Sequence, residues 1–190
     1  MVELTLTMKV KLTTNKHESE ALDCLCDNYT SCCNEVSDWI GEHHTLSQRK
    51  INEAVYHPLR DKYGLLAQMT QSSIRRVIAS YKAIHSRMER RNEGKPKGRR
   101  MACYSVKPEY SSAGVDLLWN RDYSYSSKTG MFSLPVMDGR IKVKAQWKGM
   151  PENTVRHVSV PPDWYRNGAN GTCIFPSSYR FPTQPQAPKT

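Results

Sequence analysis

In the stretch AQMTQSSIRRVIASYKAIHSRMERR, Gln71 and Ser72 stand three and four residues after Gln68, and Arg75 and Arg76 three and four residues after Ser72. Helical geometry brings side chains at that spacing to a common face. Amides and guanidinium groups presented together on a helix are what base edges in a major groove require, a guanidinium pairing with guanine and an amide with adenine. The same residues equally well make the solvated side of an ordinary amphipathic helix.

The charge thickens downstream. Between Arg75 and Arg100 there are ten Lys/Arg against only Glu89 and Glu93. The chain as a whole has 28 Lys+Arg against 18 Asp+Glu, a net charge of +10, which points to a polyanionic partner rather than an acidic small molecule. Lys82, Arg87, Arg90, Arg91, Lys95, Lys97, Arg99 and Arg100 are the candidate phosphate contacts, which position a nucleic acid without reading its sequence. Lys9 and Lys11 would add a basic rim beside Lys142 and Lys144 if their two strands are neighbours; lysines at strand edges also serve simply to block aggregation.

Other chemistry-bearing residues point to structure. Cys24, Cys26, Cys32 and Cys33 crowd together with C-x-C and C-C spacings, and Cys103 and Cys173 stand apart, so no C-x-x-C knuckle is present. Reduced, mostly buried thiols are expected, consistent with an intracellular, cytoplasmic chain. His43 and His44 with His57 or His85 lack the spacing of a metal site, and no metal or cofactor is expected. Tyr29, Trp39 and Trp119 could stack on unpaired bases. Tyr29 and Trp39, however, fall on an apolar helical stripe that predicts core packing.

These residues need elements to hold them. Residues 4 to 12 alternate Leu4, Leu6, Met8, Val10 and Leu12 with polar residues, the pattern of a half-buried strand. From Glu18 the period becomes helical through Leu22, Leu25, Tyr29, Cys32, Cys33, Val36, Trp39 and Ile40, with Gly41 as the expected stop. A second helix is predicted over Leu46 to Tyr63, with Pro58 as a possible kink and Gly64 at its end, and a third from Leu66 to Met88. Residues 93–100 have the Gly, Pro and charge of a mobile linker. VDLLW, MFSLPVM and GRIKVKAQW then read as strands, with Asp138-Gly139 as a hairpin turn. Seven of the eleven prolines fall in the last forty residues, where the pattern stops. The divisions are 1–14 (first strand), 15–92 (helical bundle), 93–100 (basic linker), 101–149 (later strands) and 150–190 (unstructured tail). No apolar run is long enough to span a bilayer, and no signal peptide is visible.

The stretch INEAVYHPLRDKYGLLAQMTQSSIRRVIASYKAIHSR, preceded by CCNEVSDWI and followed by SLPVMDGRIKV, resembles the N-terminal part of TnpB (OrfB) proteins, transposon-encoded RNA-guided DNA nucleases. The resemblance covers about residues 3 to 148. It implies an α+β fold in which the first and later strands close a wedge β-barrel around an inserted three-helix recognition bundle. It places the Gln68–Arg76 helix, aided by Tyr56, where that family reads a short motif on duplex DNA, and gives the basic residues to guide RNA or a heteroduplex.

The family's RuvC-like domain, whose carboxylates hold two metals, would lie downstream, and the residues after Gly149 offer only Glu152 and Asp163. The codons of residues 170–178, read two bases later, permit a sequence similar to the next wedge strand, so the tail is expected to be frameshifted and its hairpin partner to have an unpaired edge. The expected protein is a truncated TnpB without nuclease activity, whose partners are guide RNA and duplex DNA, with no membrane and no small-molecule substrate. The alternatives are a non-functional translated pseudogene remnant and an RNA-independent helix-turn-helix regulator.

Overall fold

The computed structural model describes residues 4–102, 104–112, 114–118, 120–126, 128–147 and 172–179. Cys103 and Trp119 therefore lie outside the described residues, as does most of the expected tail.

Three helices follow the first strand, β1 (Leu4–Thr13), as periodicity predicts. The first, α1 (Lys16–His43), starts on a capping box: Asn15 Oδ1 accepts from Glu18 N–H and Glu18 Oε2 from Asn15 N–H, both at 2.8 Å. It runs past Gly41, the expected stop, and ends at His44, which takes φ 48° and donates its N–H to Ile40 O. Gly41 has a packing role instead. A Cβ there would stand 3.2 Å from the Tyr81 hydroxyl.

The second helix, α2 (Gln48–Tyr63), buries Ile51, Val55 and Leu59 and accommodates Pro58 without ending. Gly64 closes it at φ 60°, the left-handed conformation that glycine takes without penalty. The third helix, α3 (Ala67–Asn92), begins after the short Gly64-Leu65-Leu66 turn, places Met69, Ile74, Val77, Ile78 and Tyr81 in the core shared with α1 and α2, and also buries Met88.

The remaining strands are β2 (Ser124–Ser126), β3 (Met131–Val136), β4 (Gly139–Trp147) and β5 (Thr172–Tyr179). With β1 they form one antiparallel sheet in the order β2-β3-β4-β1-β5, so the first strand does join the later ones. Among the described residues the sheet does not close into the expected barrel. Closure requires the two edge strands to pair, and here β2, only three residues long, and β5 lie at opposite edges.

Four further expectations are corrected. The β4 edge is covered, because β1 pairs with it from Val10↔Trp147 to Thr13↔Lys144. Part of the tail forms β5, whose Pro176 is tolerated because the strand is at the sheet edge. Of VDLLW, residues 115–118 make only an isolated bridge at Asp116; Val115 and Leu117 are buried, so their apolar side chains anchor the segment in the core without a strand ladder among the described residues. The hairpin turn is also displaced by one residue: Val136 pairs with Gly139, leaving Met137 and Asp138 in the turn and Gly139 at φ 123°.

Register explains the core. Phe132↔Val143 and Leu12↔Ala145 put apolar side chains on one sheet face, which merges with the helical core through Val10, Leu134, Val115 and Tyr123. The β3–β4 turn reaches the bundle: Met137 Cε lies 2.9 Å from where a Cβ on Gly64 would stand.

Candidate nucleic-acid interface

Along α3, Gln68, Gln71, Arg75 and Lys82 form a row on the side opposite the buried stripe, with Arg75 and Lys82 exposed and the two glutamines half-buried. Ser72 and Arg76, predicted for the same face, turn inward. Ser72 is 6% exposed; its Oγ donates to Met69 O at 2.9 Å and lies 3.1 Å from the Tyr29 hydroxyl.

The Arg76 side chain is 19% exposed, forms an ion pair of 2.7 Å with Asp116 Oδ1, and lies over the Tyr29 ring at 5.6 Å. Tyr29 donates in turn to Asp116 Oδ2 at 3.2 Å. A guanidinium this far inside needs a carboxylate partner, and the partner comes from a segment forty residues away in sequence. Burial first, then the Asp116 carboxylate, pushes the Tyr29 phenol well above its ordinary range, so it remains a neutral donor. Ser72 and Arg76 therefore join α1, α3 and the 114–118 segment and are removed from the outer surface.

Tyr56 on α2 is half-buried against the core, its ring edge-on to His57 at 5.0 Å. Arg87, Arg90, Arg91, Lys95 and Lys97 are exposed, as are Arg99 and Arg100. The ion pairs among the described residues use Lys16, Arg49, Lys62, Arg76 and Lys107, so apart from Arg76 the basic run from Arg75 to Arg100 has no carboxylate partner there.

The sheet adds a second basic surface. Lys11, Arg140, Lys142 and Lys144 are exposed on the face away from the core, and none of the five described strands contains an acidic residue. The pairs Lys11↔Gln146 and Thr13↔Lys144 put Lys11 and Lys144 diagonally across adjacent strands. Arg140, which sequence reasoning did not single out, is fixed by donation from Nε and Nη2 to the hydroxyl and carbonyl of Ser133, each at 2.9 Å. The Lys9 side chain lies outside the described set.

Residues 104–112 cross the bundle as a strap. Asn34 donates to Tyr110 O and accepts from Tyr110 N–H, at 3.0 and 2.9 Å; Ser37 donates to Pro108 O at 2.6 Å; Lys107 pairs with Asp38; and Tyr110 donates to Ser80 Oγ at 2.7 Å. The Asn and Ser of the CCNEVSDWI stretch thus hold the chain that leads from the bundle to the sheet.

The remaining candidates are structural. Tyr29 is fully buried, and Trp39 is half-buried with its ring stacked on His43 at 4.1 Å. His44 stacks on Tyr104, and His85 meets the same ring edge-on. Among the described residues no group of three or more His, Cys, Asp or Glu is placed to hold a metal. Cys26, Cys32 and Cys33 are buried and Cys24 is exposed, all as reduced thiols. Burial pushes Cys32 up to about 11, so it is protonated at neutral pH.

Comparison with known proteins finds no family model that matches the chain and no matching curated relative. Among the described residues, no helix is long and apolar enough to cross a membrane.

Proposed function

We propose that this chain binds nucleic acid through the outer row of α3 and the basic residues that follow it, as the TnpB-like recognition and wedge region it resembles, with guide RNA and duplex DNA as partners. The observation that carries this reading is the unpaired charge. Arg75, Lys82, Arg87, Arg90, Arg91, Lys95 and Lys97 are all exposed without a carboxylate partner among the described residues, whereas Lys16, Arg49, Lys62 and Lys107 are held in ion pairs. Gln68, Gln71 and Arg75 supply base-edge chemistry, Tyr56 on α2 aids them as the resemblance implies, and the other cations contact phosphates. The sheet-face cations extend the same surface chemistry. No catalytic step is assigned to these residues, and no cofactor or small-molecule substrate enters the reading.

The test is to express the chain with its native flanking DNA, purify it and sequence the RNA that accompanies it. Enrichment of one structured transcript supports the reading; random cellular RNA or none contradicts it.

A second reading is favoured by the three-residue, glycine-containing turn between α2 and α3, which fits a helix-turn-helix. That reading requires sequence-specific duplex binding with no RNA present. The guided reading predicts only weak, nonspecific duplex binding under that condition.

A further inference from the structure

Residues 93–100, which sequence composition marks as a mobile tether, fold into a closed loop. Asn92, at the end of α3, closes it with both ends of its amide: Nδ2 donates to Met101 O and Oδ1 accepts from Met101 N–H, each at 2.9 Å. Inside the loop, Lys95 N–H donates to Asn92 O, and Lys97–Arg99 forms a 3-10 turn in which Arg99 N–H donates to Pro96 O at 2.9 Å. Arg100 Nε donates to Lys95 O at 2.9 Å. Gly94 makes the reversal at φ 72°, a left-handed conformation in which a side chain would be strained.

The two sides of this loop differ in charge. Its concave side is lined by Glu89, Arg90, Asn92, Glu93 and Arg100, two charges of each sign, and offers a phosphate chain no net attraction. Lys95, Lys97 and Arg99 are exposed outside that lining and have no carboxylate partner among the described residues.

We propose that residues 93–100 are a preformed phosphate clasp for a nucleic-acid backbone, held shut by the Asn92 amide, with Lys95, Lys97 and Arg99 as its contacts. The proposal rests on the nucleic-acid reading above and adds a role for a neutral residue. Cations on a free tether must have their backbone ordered when the ligand binds, and that entropy is lost from the affinity. A loop closed beforehand avoids most of that loss. Only Asn closes the loop in this way, since Asp lacks the donor for Met101 O and Gln sets the amide one methylene further out. Asn92 is thus a positioning residue, acting through the loop without touching the ligand.

The test uses the full chain and a labelled RNA hairpin, with binding followed across a salt series. Asn92→Ala is expected to weaken binding roughly three- to tenfold, the effect of losing two modest hydrogen bonds, with an unchanged salt slope because no charge is removed. Lys95→Ala/Lys97→Ala is expected to weaken binding and lower the slope by about 1.5, at roughly 0.7–0.9 per phosphate contact. Without RNA, trypsin should cut the Asn92→Ala loop faster than the wild-type loop. Helical circular dichroism should stay the same, because the closing bonds lie at the exposed end of α3.

If Asn92→Ala loses helicity, Met101→Pro removes one closing donor while leaving the helix untouched, and the same pair of changes is expected. Wild-type affinity together with wild-type trypsin resistance in either variant would overturn the clasp. A wild-type chain that binds no RNA would overturn the nucleic-acid reading itself, a distinct outcome read from the wild type alone.

Discussion

Arg75 and Arg76 are adjacent in sequence and opposite in role. Arg75 is exposed on the outer row; Arg76 is held between Asp116 and the Tyr29 ring. Replacing Arg76 with Ala removes the guanidinium from Asp116 and from the Tyr29 ring and should lower unfolding stability by about 2 kcal/mol in urea titrations, the cost of a lost charged hydrogen bond in a partly buried site. Arg75→Ala should stay within about 0.5 kcal/mol of wild type, as surface changes do, while weakening RNA binding in fluorescence anisotropy.

Thiol chemistry separates inside from outside in the same way. Cys24 should alkylate readily in the native protein, and Cys26, Cys32 and Cys33 only after denaturation. Because the folded value of Cys32 is raised to about 11 from an ordinary 9, its contribution to stability is complete below pH 9 and is lost as the pH rises through 11. Alkylation of Cys32 that follows ordinary thiol titration in the native protein would contradict this. The inward turn of Ser72 and Arg76 was not legible in the sequence: helical spacing puts them beside the outer row, and only their distant partners, Tyr29 on α1 for Ser72 and Asp116 for Arg76, show that they point inward.

At the level of elements, much was legible because it depends on local pattern. The three helices emerge from apolar spacing, and β1, β3 and β4 from alternation. What failed depends on long-range geometry. A short strand-like run such as VDLLW cannot distinguish a paired strand from a segment that presses Val115 and Leu117 into the core. Gly41 read as a stop, yet its missing side chain serves the approach of Tyr81. Gly64 was readable as a helix terminator, although its contact with Met137 was not. Gly64→Ala should lower the melting stability by about 1–2 kcal/mol, the combined strain of a left-handed alanine and the crowding of the β3–β4 turn. An unchanged melting curve would show that the turn yields freely.

Over the whole molecule, an excess of positive charge lies on two surfaces, the α3 row with its following loop and the outer face of the sheet, while the bundle and sheet share one apolar core. The strap fixed by Asn34 and Ser37 connects them, so neither surface is an appendage. Net charge and the basic run were readable from composition; the open sheet was not, because it depends on pairings between distant strands, and the closed 93–100 loop was not, because its Asn92–Met101 bonds leave no mark in composition or period.

The central claim is that these exposed cations bind a nucleic-acid backbone. The most direct measurement is the affinity of the purified chain for a structured RNA across a salt series, beside a variant with Lys82, Arg87, Arg90 and Arg91 changed to Ala. The account predicts a log–log slope of about −4 or steeper for the wild type, from six or more phosphate contacts, and a slope flatter by about 3 in the variant. Affinity that hardly changes with salt, or a variant that binds as the wild type does, would contradict it.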